Sequence, residues 1–337
     1  MSRYDGLIIP RSYNEYINKT DPVALAQALQ LNGVLDAAPT SGSVKAVKSG
    51  GVFDSLESIQ RQIANIPRST PKDITSYVTD GTLWKRLAGT NGYKLYEDLH
   101  VGDYFKMSRA ISAYERTQQY QTTGSQYVTI AGIDTLMYKG DSGSGIDYHH
   151  LVMVPGQGFG GTQHFGRSRM NSTNTSVGGY KGSEMYTTTI GAVTSTGSTA
   201  ANATINEQLY AEFGSHLKTV RALITNSINA NGVNRFGSAD GCSNNWGWES
   251  VQAILLSEIE CYGSIAWSSA GYDTGEANKQ LPLFAFSEAA RNNRTAYYWL
   301  RDVASAIRFC ISHHGGGSDY NYASDAGTCV RPRFVIA

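Results

Sequence analysis

Five aliphatic side chains, Val52, Leu56, Ile59, Ile63 and Ile66, recur at spacings of 4, 3, 4 and 3, and Pro67 follows at once. That spacing is a heptad seam, and it requires a short helix that a proline ends. Asp54, Ser55, Glu57, Gln60, Arg61 and Gln62 fall between the seam positions as a polar outer face. Isoleucine at successive seam positions disfavours two-stranded coils and suits three or four strands. Two heptads cannot hold a bundle alone, so neighbouring segments must help. The seam therefore predicts a short trimeric coiled coil over residues 52–66. The simpler alternative is one amphipathic helix packed on its own domain.

The flanking sequence favours the bundle. Residues 37–51 are rich in Pro, Gly and Ser and read as a linker. Before it, Asp21 can cap a helix that Pro22 opens, with Val23, Leu25, Ala28, Leu29 and Leu31 following and Gly33 ending it. Residues 1–36 are accordingly expected to be a small docking module.

From about residue 80 the pattern changes to short strands, turns and a few helices. Stretches 102–107, 127–133 and 148–155 read as strands, and 333–337 as a final one. Residues 171–203 are rich in Ser, Thr and Gly and read as long loops. Leu209, Phe213, Leu217, Val220, Leu223, Ile224 and Ile228 share one face of a predicted amphipathic helix. A second helix is predicted near 249–261, with Val251, Ile254, Leu255 and Ile259 inward. The fold class is α+β, with one large domain over residues 80–337.

Composition narrows the partners. Lys plus Arg and Asp plus Glu number 28 each, so no long-range field attracts a polyanion, and nucleic acid is not an expected partner. The first ten residues lack the basic start and apolar run of a signal peptide, and no stretch approaches the length of a membrane span. The expectation is a soluble protein made in the cytoplasm, which would keep its four cysteines as thiols, with one or two bridges left open by the sequence. None of them has the paired spacing of a zinc site. Thirty-six Gly and twenty-one Tyr, with many Ser, Thr and Asn, suit an adaptable contact surface or a loop-rich β protein.

Catalytic signatures are not evident. Gly156, Gly158 and Gly161 fit a dinucleotide-loop spacing, but no apolar-periodic helix follows to receive a pyrophosphate, so a loop is expected. His149 and His150 alternate across a strand, one ring in and one out, which suits a core histidine better than a chelate. His313 and His314 precede three glycines and are read as contact residues rather than ligands. No catalytic residue, metal or cofactor is expected.

Tyr298-Trp299-Leu300-Arg301, then Val330-Arg331-Pro332 and a last strand, resemble the formylglycine-generating-enzyme type of C-type lectin fold. More narrowly, the frame is similar to the variable proteins of diversity-generating retroelements, a group that includes phage tropism determinants. The linker resembles one common in phage tail fibres. Together these likenesses cover the linker and roughly residues 80–337. In that family, template adenines are randomised, mostly in Asn codons, so Lys, Glu, Gln, Met and Trp cannot arise at varied positions. Residues 303–329 contain none of the five.

The resemblance implies a variable segment at about 303–329. Its contact residues would be Ile307, Arg308, Ser312, His313, His314, Gly315, Gly317, Asp319, Asn321, Tyr322 and Asp325. Phe309, Ala323 and Ser324 would be frame, as would Trp299, Arg301 and Arg331, whose guanidiniums can fork onto carboxylates or carbonyls. Cys310 and Cys329 fit either role. The implied function is a homotrimeric receptor-binding protein at a phage tail tip or fibre in the virion. It would bind a bacterial cell-surface protein or glycan and attach to tail or baseplate proteins. A structural tail or capsid-decoration protein, or a glycan-degrading tail enzyme, is the alternative.

Overall fold

The computed structural model describes residues 2–4, 7–9, 57–90, 92–114, 123–141, 143–229, 242–268, 280–292 and 296–337. The expected helix after Asp21, the 37–51 linker and the seam residues Val52 and Leu56 lie outside them. The chain divides into two compact units, Met1–Ile63 and Ala64–Ala337. In the first, β1 (Ser2–Tyr4) and β2 (Leu7–Ile9) form an antiparallel hairpin. The second begins earlier than residue 80, because Ile74 is core and the amide of Val101 bonds the carbonyl of Ala64.

Helix α1 covers residues 57–64, carrying Ile59 and Ile63. Ile66, the last seam position, falls beyond the helix and is 51% exposed. Two local causes end the helix there. A residue before proline is pushed out of the helical region, and the Asn65 side chain exchanges two hydrogen bonds with the backbone of Ile133, each at 2.9 Å.

The larger unit is α+β. Short helices α2 (Thr75–Thr79) and α3 (Thr82–Leu87) precede β3 (Tyr104–Lys106), β4 (Tyr127–Ile133) and β5 (Leu151–Pro155). β4 and β5 are almost wholly buried, as continuous apolar runs require when both faces are covered. The predicted strands at 127–133 and 148–155 are thus present, the second beginning at Leu151. The 171–203 stretch is mainly loop, with one π-helical segment at Met185–Ile190.

The long helix predicted through Ile228 does not form. Helix α4 (Ile205–Phe213) opens on a Thr204–Glu207 capping box and stops at Gly214, whose φ is 53°. β6 (Leu217–Lys218) and β7 (Val220–Asn229) follow. Positions 209, 213, 217, 220 and 224 have helical spacing, but Val220, Ala222 and Ile224 also alternate, and Ala222 is buried where Leu223, which the helical face needs, is only partly so. The β-branched residues favour a strand, and β8 (Cys242–Val251) pairs with β7 throughout.

The second predicted helix is corrected likewise. Val251 ends β8, and Ile254 and Leu255 belong to β9 (Ala253–Leu255). Only Ile259 is helical, on α5 (Glu258–Tyr262), which a Ser257–Glu260 capping box restarts. Then come α6 (Pro282–Phe286), α7 (Glu288–Asn292), β10 (Tyr298–Ser305), β11 (Arg308–Ser312), β12 (Ser318–Tyr322) and β13 (Pro332–Ile336). β13 bonds β5, β6 and β9 in the central sheet, while β10, β11 and β12 form a separate antiparallel sheet. Among the described residues, no helix is long and apolar enough to cross a membrane.

Candidate contact surface on the C-terminal hairpin

The β10–β12 sheet stands on a buried polar frame. Trp299 is fully buried, and its Nε1 donates to the carbonyl of Ser168 at 2.8 Å. Arg301 donates from Nη1 to the Glu260 carboxylate at 2.6 Å and to the carbonyl of Leu255 at 3.0 Å. Arg333, from β13, donates to the other oxygen of Glu260. Burial alone would push the Glu260 carboxyl up. The two guanidiniums and the Ser257 amide outweigh it and hold the pKa at about 2. Arg331 donates to the carbonyl of Ala290, and its guanidinium lies over the Phe284 and Tyr298 rings at 5.1 and 4.9 Å. Arg301, Arg331 and Arg333 thus make buried contacts to a carboxylate, carbonyls and rings.

A second buried carboxylate reaches the surface strand. Glu258, fully buried, accepts from the amides of Ala266, Trp267 and Ser268 and from the hydroxyls of Ser268 and Ser318. It fixes the loop after α5, so that the Trp267 ring meets Tyr320 edge-on at 4.7 Å and its Nε1 donates to the Ser318 carbonyl. Glu258 and Trp267 were not anticipated from sequence.

On this frame β11 and β12 pair in register from Arg308↔Tyr322 to Ser312↔Ser318. Period-two alternation puts Arg308, Tyr320 and Tyr322 on one face and Phe309, Ile311, Asp319 and Asn321 on the other. Arg308 lies over the Tyr320 and Tyr322 rings at 5.0 and 4.6 Å and donates to the Tyr322 hydroxyl at 3.0 Å. The connecting turn closes with His313 donating its amide to the Gly317 carbonyl, and Gly316 adopts φ 107°. His313 and His314 pack with Tyr297 as three rings whose centroids lie 4.5–4.7 Å apart. Tyr297, just before β10, is a member of this cluster that sequence reasoning missed.

The expected contact residues divide by exposure. Ile307 is 38% and Tyr322 44% exposed. His314, Gly315 and Gly317 are also exposed, while Arg308, His313, Asp319, Asn321 and Asp325 are half-buried. Asn321 and Asp325 bond each other and Thr328, so part of their polar capacity is spent internally. Ser312 differs: it is fully buried and accepts from the Tyr262 hydroxyl at 2.8 Å. With no surface to offer, it is set aside as a contact residue. Phe309 and Ala323 are buried, and Ser324 is half-buried. Cys310 and Cys329 are fully buried. Burial pushes the Cys329 thiol up to about 11, so it is not a reactive thiolate.

The other sequence candidates have structural explanations. Gly156–Gly161 is a tight turn in which Gln157 and Gly160 exchange backbone hydrogen bonds. Gly158 has φ 65°, and a Cβ there would lie 2.8 Å from Pro71. Glycine is needed for close packing. His150 is buried and accepts from the Leu136 amide at 3.1 Å, as a core histidine does. His149 is partly exposed, but it turns back to Asp134 at 2.8 Å, which the His150 amide and the Tyr96 hydroxyl also reach. Among the described residues, no three His, Cys, Asp or Glu side chains are grouped to hold a metal ion.

No family model, curated protein or solved structure matches this chain.

Proposed function

We propose that the chain is a receptor-binding protein of a bacteriophage tail, carrying a C-type-lectin-like domain that contacts a bacterial surface ligand through its C-terminal hairpin. One observation carries the reading. Side chains of mixed chemistry at 307–308, 313–314 and 319–322 stand outside a backbone fixed by the buried Trp299, Arg301, Glu260 and Arg333. Such a layout separates what binds from what folds, so outer residues can change without loss of the scaffold. The likeness of 298–301 and 330–332 to retroelement-diversified lectin folds, and the lack of five residue types in 303–329, support the same reading.

The spacing of Val52, Leu56, Ile59 and Ile63 supports a homotrimer, in which three copies of a modest contact patch gain avidity. Residues 1–36 would attach it to tail or baseplate proteins in the virion. The purified full chain should block adsorption of the phage that encodes it, and Tyr322→Ala with His314→Ala should abolish the block. Equal blocking by that variant would refute the hairpin as the contact surface.

A further inference from the structure

The hairpin has a neighbour from outside the variable segment. Loop 171–178 is tied to it at both edges. The Ser176 amide donates to the Ala306 carbonyl at 2.8 Å, and the Ser176 hydroxyl to the Ser305 carbonyl at 2.5 Å. At the far edge, the Asn171 amide donates to the Ala323 carbonyl at 2.9 Å. The Asn174 side-chain oxygen accepts from both the amide and the hydroxyl of Ser324. Asn171 Nδ2 donates to the Thr175 carbonyl and so braces the loop internally.

These bonds decide what stands beside the hairpin. Val177 and Ile307 each follow directly on a partner of the Ser176–Ala306 bond, and Val177 is 70% exposed. The amide of Ala323 bonds the carbonyl of Ile307, which keeps Tyr322 beside it. Val177 on the loop and Ile307 and Tyr322 on the hairpin, all exposed, thus each sit one residue from a hydrogen bond that ties the two segments together.

Resting on the receptor-binding reading, we infer that the contact surface is composite. Val177 and its loop supply a constant apolar edge to the variable hairpin, and together they fit a protein ligand with aliphatic side chains beside an acidic one. Three features favour protein over glycan. Val177 and Ile307 offer no hydrogen bond to hydroxyl-rich sugars, which would lose water against them without compensation. Arg308 covers a face of Tyr320 and of Tyr322 and competes there with sugar stacking. Finally, Arg308 donates to the Tyr322 hydroxyl through Nη2, and a guanidinium carries five donors suited to forking onto a carboxylate.

The test uses the full chain against two probes, a random cyclic-peptide library displayed on yeast and an array of bacterial envelope glycans. Peptides combining aliphatic with Asp or Glu residues should enrich. Val177→Asp and Val177→Ser should each weaken binding of the enriched peptides at least tenfold with unchanged melting temperature, while Val177→Ile keeps it. If those peptides lose binding to Tyr322→Ala but not to the Val177 variants, the composite surface is refuted and the hairpin reading stands. If neither Tyr322→Ala nor His314→Ala matters to them, the hairpin reading itself fails. Absence of peptide enrichment, or capture of an arrayed glycan in its place, overturns the protein ligand.

Discussion

The carboxylate of Glu258 accepts a hydrogen bond from the hydroxyl of Ser318 at 2.8 Å, joining the buried first turn of α5 to the first residue of β12. The carboxylate of Glu258 also accepts from three consecutive amides, 266 to 268, and from the Ser268 hydroxyl. Glu258→Gln replaces an acceptor oxygen with a donor that faces donors. It should cost roughly 3 kcal/mol, the scale of a buried mismatched polar group in a charged setting. Urea unfolding of the full chain measures the loss, and a red shift in tryptophan emission should report release of Trp267.

Glu260 between Arg301 and Arg333 is a different case, because the frame there is ionic. Glu260→Gln removes the carboxylate charge that both buried guanidiniums bond, and breaking such a pair costs on the order of 3–5 kcal/mol. Glu260→Asp keeps the charge but shortens the reach, so a smaller loss is expected. The two variants compared in denaturant separate charge from geometry.

Acid should weaken the fold before the carboxylates titrate. Burial, with Arg167 and Arg331 nearby, lowers His164 to about 4, and burial lowers His150 as well. In the unfolded chain both imidazoles titrate near 6.5. The unfolded state therefore takes up protons first, and stability that is whole above about 6.5 is lost as pH falls toward about 4. His164 alone accounts for roughly 3 kcal/mol across that window. Glu260 and Asp98, each held at about 2, act at lower pH. His164→Asn, which can still accept from the Gly166 amide, should flatten the fall in melting temperature between pH 6.5 and 4.

Outer and inner positions of the hairpin should respond oppositely. Tyr322→Ala, His314→Ala and Gly317→Ser fall at exposed positions and should change stability by no more than about 0.5 kcal/mol. Trp299→Phe removes a buried indole donor from the Ser168 carbonyl and leaves space behind it, for a loss of roughly 2 kcal/mol. Thermal melts of the four variants check the division.

Much of the fold was legible where one pattern fits one structure. The run at 127–133 is apolar, β-branched and bounded by polar residues, and it forms β4 with those limits. Trp299, Arg301 and Arg331 stand out as large or charged residues in an apolar strand context, and burial is their outcome. Leu209 to Ile228 failed because its apolar residues satisfy a period of 3.6 and a period of 2 together. Gly214 and the distant partner β8 decide between them, and pairing across that distance leaves no local trace. The Glu258–Ser318 link and the ties from loop 171–178 to the hairpin join residues far apart in sequence. The capping pattern Ser257–Glu260 was readable, and it would have placed the start of α5 correctly. Ser312 was misjudged because alternation tells which face a strand residue takes, not whether Tyr262 covers that face.

The most direct test of the central claim is deep sequencing of the codons for residues 297–337 across a phage population. Substitutions should concentrate at 307, 308, 313, 314, 319 and 322, and Trp299, Cys310, Ser312 and Arg331 should stay fixed. An unvarying segment, or changes spread evenly along the chain, would contradict a diversified receptor-binding surface.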